Sequence, residues 1–191
     1  MERHPPHSHA STPDDAFCPK CGAQLASRLL KPGEPERLVC SACEHVIFHD
    51  PKVAAGCIVE EAGGIVLLRR AIEPGYGKWV FPGGYVDRGE RVEDAAVRET
   101  LEESCLQVRI TKLLGVYSYA NRPIVVIVYA GDVTGGVLRA ADESLEARVF
   151  PPLEIPWDKL AFSSTFDALA EYVARVHDVR PPDGAARPAP F

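Results

Sequence analysis

Between Gly84 and Leu106 the chain sets a glycine, a short acidic turn and a helix-forming run in direct succession, and this stretch limits the possible folds more than any other. Residues 84–90 read Gly-Tyr-Val-Asp-Arg-Gly-Glu, and the run Arg91 to Leu106 carries Arg98-Glu99-Thr100-Leu101-Glu102-Glu103 near its end. At about 100° per residue, Glu99, Glu102 and Glu103 share one helix face in the i, i+3, i+4 relation. Ala95 and Ala96 lie on that side one turn earlier, so a sheet or loop can approach closely there. Val97 and Leu101 point the other way, with Cys105 near them. Like charges on one arc repel by up to about half a kcal/mol per pair on an exposed helix, and by more when partly buried. A positive partner is therefore expected on this face.

A run of glutamates is most often a solvated helix face. The preceding segment argues otherwise. Gly83-Gly84 ends a Trp79-Val80-Phe81-Pro82 stretch, and Asp87 with Glu90 three residues on resembles a capping box opening the helix. A glycine pair lets backbone approach a ligand, and carboxylates at helical spacing beside a backbone carbonyl suit a hard cation such as Mg²⁺, which keeps several waters and favours phosphate.

The pattern Gly84, five residues, Glu90, seven residues, then Arg98 through Leu106 resembles the Nudix box, a long motif rarely met by chance. Two positions depart from it. Thr100 stands where the family has a bulky aliphatic residue, and Cys105 stands where it has glycine near the helix end. A left-handed residue there costs a non-glycine about 1 kcal/mol, so the departure bears on how the helix stops and leaves the carboxylates untouched.

Composition sets outer bounds. At 191 residues there is room for one medium domain and a small attachment, and a formal net charge of -6 argues against a main role in gripping nucleic-acid backbone. No apolar run approaches the length of about 20 residues needed to span a bilayer, and the first sixteen residues lack the form of a secretion signal, so a cytoplasmic protein is expected.

Four of the six cysteines form two CxxC knuckles, Cys18-Pro19-Lys20-Cys21 and Cys40-Ser41-Ala42-Cys43, separated by eighteen residues. That spacing reads as a tetrahedral structural Zn²⁺ site, with a redox pair or disulfides as the alternatives. Four sulfurs close such a site, so His45 and His49 read as ordinary polar residues. Cys57 and Cys105 read as free thiols.

In order along the chain, residues 1–16, rich in His, Pro, Ser and Asp and including His4, His7 and His9, are expected to be disordered. Residues 17–51 read as a small zinc ribbon of two short strands around a Pro-Gly-Glu-Pro turn at 32–35, too small to fold well without metal. Residues 52–178 read as the main domain: a hairpin of 53–60 and 65–70, a loop at 72–78, the strand at 79–82 and the acidic helix. Strands at 108–119 and 124–130, a loop at 132–141, a short strand at 146–150, a turn or short helix at 151–156 and a closing helix at 164–176 follow. Phe166, Leu169, Ala170 and Val173 form the stripe of that last helix, and residues 179–191 are a Pro/Ala-rich tail. The order predicts an α+β fold, in agreement with the α/β/α sandwich with a mixed sheet that the Nudix resemblance implies.

The resemblance also implies roles. Glu99, Glu103 and the Gly84 carbonyl would hold Mg²⁺ or Mn²⁺, Glu102 would complete a multi-metal site, and Arg98 with Glu90 would orient the loop and helix. Similar enzymes recruit a further carboxylate from a later loop. Asp142, Glu143 and Glu146 are the candidates, with Glu146 favoured for its place before the strand Arg148-Val149-Phe150. Phe81, Tyr117 and Tyr119, along with Trp79, could stack on a base, although aromatics on strands more often pack the core. The ribbon, Asp50-Pro51-Lys52, Glu143-Ser144-Leu145-Glu146 and Ile155-Pro156-Trp157 through Leu160-Ala161-Phe162-Ser163-Ser164 together resemble a zinc-ribbon Nudix subgroup. That likeness implies a pyrophosphatase acting on a nucleoside diphosphate derivative, with FAD or ADP-ribose ahead of NADH because the Ser-Gln-Pro-Trp-Pro-Phe-Pro run of NADH pyrophosphatases is absent. A nucleotide-sensing module with little turnover is the rival reading, and a homodimer is compatible with either.

Overall fold

The computed structural model describes residues 16–189, so the tail expected over 1–16, with its three histidines, lies outside the described residues except for Ala16. The chain divides after Asp50 into two compact units. In the first, β1 (Leu25–Arg28), β2 (Arg37–Cys40) and β3 (Val46–Ile47) form an antiparallel sheet in that order. The third strand was not legible in the sequence because two residues carry no period. Among the described residues of this unit the buried apolar set is Cys18, Val39 and Cys40. A core made largely of thiols cannot offset chain entropy by hydrophobic burial, so the cysteine cluster must supply the rest.

The second unit is a seven-stranded mixed sheet with a helix on each face. Its strands are β4 (Lys52–Glu61), β5 (Gly64–Arg70), β6 (Trp79–Val80), β7 (Gly83–Tyr85), β8 (Leu106–Ser118), β9 (Ile124–Gly136) and β10 (Ser144–Phe150), and its helices are α1 (Val92–Ser104) and α2 (Ser163–Val176). The main path runs β10-β5-β4-β9-β8, with β6 paired to β5 and β7 to β4. β4 and β9 are parallel, Lys52 opposite Ile124 through Glu60 opposite Asp132, and the other pairs are antiparallel.

Strand alternation sorts the core into two faces. Ile58, Ile65 and Leu67 pack with Leu169 and Val173 of α2, while Cys57, Val59, Val66 and Leu68 face the side of α1, with Val97 against them. Ala95 and Ala96 are fully buried against Ala55 and Tyr129, so small side chains bring α1 close to the sheet. Among the described residues no helix is long and apolar enough to cross a membrane.

Several expected elements are corrected. The loop expected over 132–141 is strand as far as Gly136, because β9 keeps pairing with β8 up to Leu106 opposite Gly136. A β-carbon on Gly136, whose φ is +90°, would stand 2.2 Å from the Cys105 carbonyl oxygen. The glycines that hide the strand signal are what let it run past the end of α1. The capping box is only half made: Glu90 accepts from the Asp87 N–H at 3.1 Å, but the helix begins at Val92 with Arg91 as an N-cap that makes no side-chain bond. Residues 179–189 form no helix or strand, yet Arg187 pairs with Asp167 of α2 and Ser163 donates to the Pro188 carbonyl.

The helix stop follows from the same geometry. Cys105 takes φ 60°, ψ 15°, and its N–H donates to the Leu101 carbonyl at 2.9 Å, so a cysteine holds the left-handed cap that glycine adopts without steric cost. Thr100, fully buried, donates its hydroxyl to the Ala96 carbonyl and so costs no unsatisfied polar group. Cys105→Gly should therefore stabilise the protein by about 0.5–1 kcal/mol, read as a raised urea midpoint at unchanged m-value.

Candidate active site and metal centres

β7 and α1 build one wall of a cleft of about 550 Å³ lined by Gly83, Gly84, Glu99, Glu102 and Glu103. The antiparallel pairing of Ala54–Gly56 with Gly83–Tyr85 lays the glycine strand beside the helix. A β-carbon on Gly84 would stand 2.5 Å from the Glu99 carboxylate, so only glycine lets strand and carboxylate approach this closely. The Gly83 N–H donates to Glu103 Oε2 at 2.9 Å.

Arg98 holds the acidic wall together. Its Nε donates to Glu90 Oε1 at 2.8 Å, its Nη1 to Glu99 Oε1 at 2.8 Å and Glu102 Oε2 at 3.1 Å, and its Nη2 to Glu90 Oε2 at 2.9 Å and the Tyr85 carbonyl at 3.1 Å. These five bonds match the five N–H donors of a guanidinium. Side-chain exposures of 31% for Arg98, 18% for Glu90 and 15% for Glu99 set this network apart from a surface ion pair. Bonding to Arg98 holds the Glu90 carboxyl down at about 2, and Glu90 in turn raises the Arg98 guanidinium.

The other two carboxylates differ. Glu103 is 7% exposed, and burial pushes its carboxyl up to about 7 against the Gly83 N–H that opposes the shift. Burial likewise raises Glu99, with Arg98 pulling it back down. Two hard oxygen donors whose charge the site destabilises, with a third on the next turn, fit a divalent cation, because such an ion would repay their desolvation directly.

The rest of the lining comes from strands including β4 and β9, from loops and from the start of α2. The last carbonyls of α1 accept from the loop after β9, Glu103 from the Ala141 N–H at 3.1 Å and Ser104 from the Arg139 N–H at 3.0 Å. Asp142 and Glu143 thereby line the cleft. Glu146 does not: it sits on β10 opposite Arg69 and pairs with Arg69 Nε at 3.4 Å. Phe81, Tyr117 and Tyr119 are also absent from the lining. Phe81 and Tyr117 are buried, with Tyr119 packed against the same core, and Tyr117 and Tyr119 donate to Glu171 and Asp167 of α2. The cleft aromatics are Tyr85 and Phe162, and its second cation is Arg70. Sequence reasoning quoted both aromatics within motifs without giving them a site role; the signal for Tyr85 was its place directly after Gly84.

In the ribbon, Cys18, Cys21, Cys40 and Cys43 bring their sulfurs within 4.8 Å of one another. The Sγ–Sγ separations are 3.4 Å (Cys21 to Cys40), 3.5 Å (Cys21 to Cys43) and 3.7 Å (Cys18 to Cys43). A tetrahedron with metal–sulfur bonds of about 2.3 Å has edges of roughly 3.8 Å, so the quartet fits a thiolate-bound ion. N–H groups of Cys43 and Ala42 draw the Cys40 thiol down to about 6, toward the ligating form.

Comparison with known proteins agrees with both units. Residues 50–171 match the NUDIX domain family, and residues 16–49 match the zinc-ribbon family described as Nudix N-terminal. The chain is similar to an ADP-ribose pyrophosphatase of Methanocaldococcus jannaschii, 41% identical over 120 residues, spanning 61% of this chain and 70% of that protein. It is also similar to a MutT-like protein of Streptomyces ambofaciens, 36% identical over 101 residues, spanning 53% of this chain and 64% of that one. A crystal structure of a NUDIX hydrolase from Nitrosomonas europaea superposes with a TM-score of 0.80 at 33% identity, covering 92% of this chain and 98% of that one. A glycine strand set against an acidic helix over a cleft thus defines a hydrolase of small nucleotide derivatives. The chain belongs to the Nudix hydrolase family, whose members need divalent metal.

The Glu103 shift has a pH consequence. Its folded value of about 7 exceeds its ordinary 4.5, so between these values the folded chain binds more protons than the unfolded one. The contribution is intact below about 4.5 and is lost as pH rises through 7, a cost of about 3 kcal/mol when complete. Without Mg²⁺ or Mn²⁺, wild type should melt lower at pH 8 than at pH 5.5 relative to Glu103→Gln, and added divalent ion should close the gap; parallel profiles for the two proteins would refute this account.

Proposed function

We propose that the protein hydrolyses the diphosphate linkage of a nucleoside diphosphate derivative in a divalent-metal-dependent reaction, releasing AMP and a second phosphorylated product. ADP-ribose is the first substrate to test, because the Methanocaldococcus jannaschii relative is an ADP-ribose pyrophosphatase, followed by FAD and then NADH. The observation that carries the reading is the wall of Glu99, Glu102 and Glu103 facing a cleft that also holds Arg70.

Glu99 and Glu103, with Glu102 and the Gly84 carbonyl, would hold Mg²⁺ or Mn²⁺, which neutralises phosphate oxygens and lowers the pKa of bound water. Arg98 and Glu90 keep the carboxylates in register, the first by its five bonds and the second by its grip on both Arg98 and the Asp87 N–H. Arg70 is anchored by Nε donating to the Pro74 carbonyl at 2.9 Å, and among the described residues no acceptor takes its Nη hydrogens. That fork suits phosphate oxygens. Glu143 and Asp142 replace Glu146 as candidates to take a proton from the attacking water, since they line the cleft.

The ribbon would hold a structural Zn²⁺ on Cys18, Cys21, Cys40 and Cys43, a thiolate site that fits a reducing, cytoplasmic setting. A homodimer remains part of the proposal.

Assay with Mg²⁺ across ADP-ribose, FAD and NADH should give AMP from at least one, and Glu103→Gln should lower kcat by at least about 100-fold, since even outer partners of metal ligands cost about 10–100-fold. Nucleotide binding without hydrolysis would favour the sensing module instead. Elemental analysis should find one zinc per chain, absent from Cys40→Ser; a metal-free wild type that melts like the variant would remove the zinc assignment.

A further inference from the structure

Two aromatic side chains in the cleft, Tyr85 and Phe162, have no part in the chemistry above. Each has a cation over its ring: Lys52 Nζ lies 4.7 Å from the Tyr85 centroid and Arg70 Cζ lies 5.1 Å from that of Phe162. Such a contact is held by electrostatic attraction between the cation and the face of the ring. Tyr85 is 43% exposed although it follows Gly84 directly on the strand that carries the acidic wall. Its Arg98 contact is through the backbone carbonyl alone, so the phenol ring is not needed to hold that wall.

The floor beside these rings is apolar. Ala54 on β4 lies opposite Val126 on β9 in the parallel register, and Ile124 stands two residues earlier on the same face. The small side chain of Ala54 leaves height above the sheet. The cleft is therefore divided in kind: carboxylates and Arg70 supply charge, while aromatic and aliphatic groups supply an uncharged surface. A nucleotide is divided the same way, into a charged diphosphate and a flat neutral base, and about 550 Å³ lies within the range of small-molecule sites.

We propose that Tyr85 and Phe162 are specificity-determining residues that stack on the nucleobase of the substrate, above a floor of Ala54, Ile124 and Val126. This deepens the diphosphatase reading and rests on it for the placement of the phosphates. The slot selects substrates by the presence of a planar base, so diphosphates lacking one bind weakly.

The test uses the full chain with Mg²⁺ and titrates AMP and, separately, ribose 5-phosphate by calorimetry. Tyr85→Ala and Phe162→Ala should each weaken AMP about tenfold or more, in line with the loss of one stacked base, and Tyr85→Ala should leave ribose 5-phosphate unchanged. Tyr85→Phe and Phe162→Tyr should bind AMP as wild type does, which separates stacking from misfolding. With a hydrolysed substrate the alanine variants should raise KM and spare kcat. Equal losses for both ligands, no loss for either, or a wild type that does not bind AMP would overturn the slot. AMP binding by a wild type that hydrolyses no diphosphate would sink the proposed function and leave the slot standing, so the two readings fail separately.

Discussion

The structure depends on keeping three glutamates together at one end of a short helix. Left alone, Glu99, Glu102 and Glu103 would repel, and two of them lie where burial disfavours charge. Arg98 offsets part of this from within the same helix, and Gly83 offsets another part with a backbone N–H. The rest is uncompensated, which makes the wall a receptor for positive charge rather than a finished salt bridge. Stability has been traded for that poise, and the cost is local: Ala95 and Ala96, about one turn before Glu99, and Thr100 beside it are fully buried, with the Thr100 hydroxyl satisfied.

That wall needs a strand beside it, and the sheet provides one by forking. β4 pairs with β5 only at Glu60 opposite Ile65 and Glu61 opposite Gly64, although both strands run on well beyond. Past the hairpin β4 turns its freed edge to β7 and β5 turns its own to β6, while β10 runs along the other edge of β5 from Ile65 to Arg70. The fork sets Arg70, at the far end of β5, in the cleft lining along with the glycine strand on β4. Glycine at 56 is required at this junction, since a β-carbon there would meet the Phe81 ring at 2.6 Å. Phe81, expected to touch substrate, supports the fork from within the core.

What could be read from the sequence had a short-range physical signature. Helical spacing placed Glu99, Glu102 and Glu103 on one face, and CxxC spacing gathered the four sulfurs, because both are set by neighbours within a few residues. Sheet neighbours and loop destinations are not local. Glu146 looked suited to the cleft from its position before a strand, but a register shift between Ser144 and Glu146 places it opposite Arg69. Asp142 and Glu143 reach the cleft because Ala141 and Arg139 cap the end of α1, a contact between segments more than thirty residues apart. The alternation of β9 beyond Ala130 was masked by Gly131, Gly135 and Gly136, and what the last of these clears, the Cys105 carbonyl, appears only once β8 is alongside.

The misplaced tyrosines show how residues outside a site still serve it. Tyr117 on β8 and Tyr119 just past its end face the same side and donate to Glu171 and Asp167, one turn apart on α2. Burial, then these carboxylates, raises both phenols above their usual range, so they stay protonated donors across ordinary pH. Arg187 completes the set by pairing with Asp167 and lying over the Tyr119 ring, while Pro188 accepts from Ser163 at the start of α2. Phe162 and Ser164, which flank Ser163, line the cleft. Two ladders of hydrogen bonds thus fix the helix whose first turn meets the site. The Pro/Ala-rich tail, which offers no periodic signal of its own, is tied down at that same turn. Aromatics on a strand of this fold act at a distance, by holding the helix that presents the cleft-facing ring.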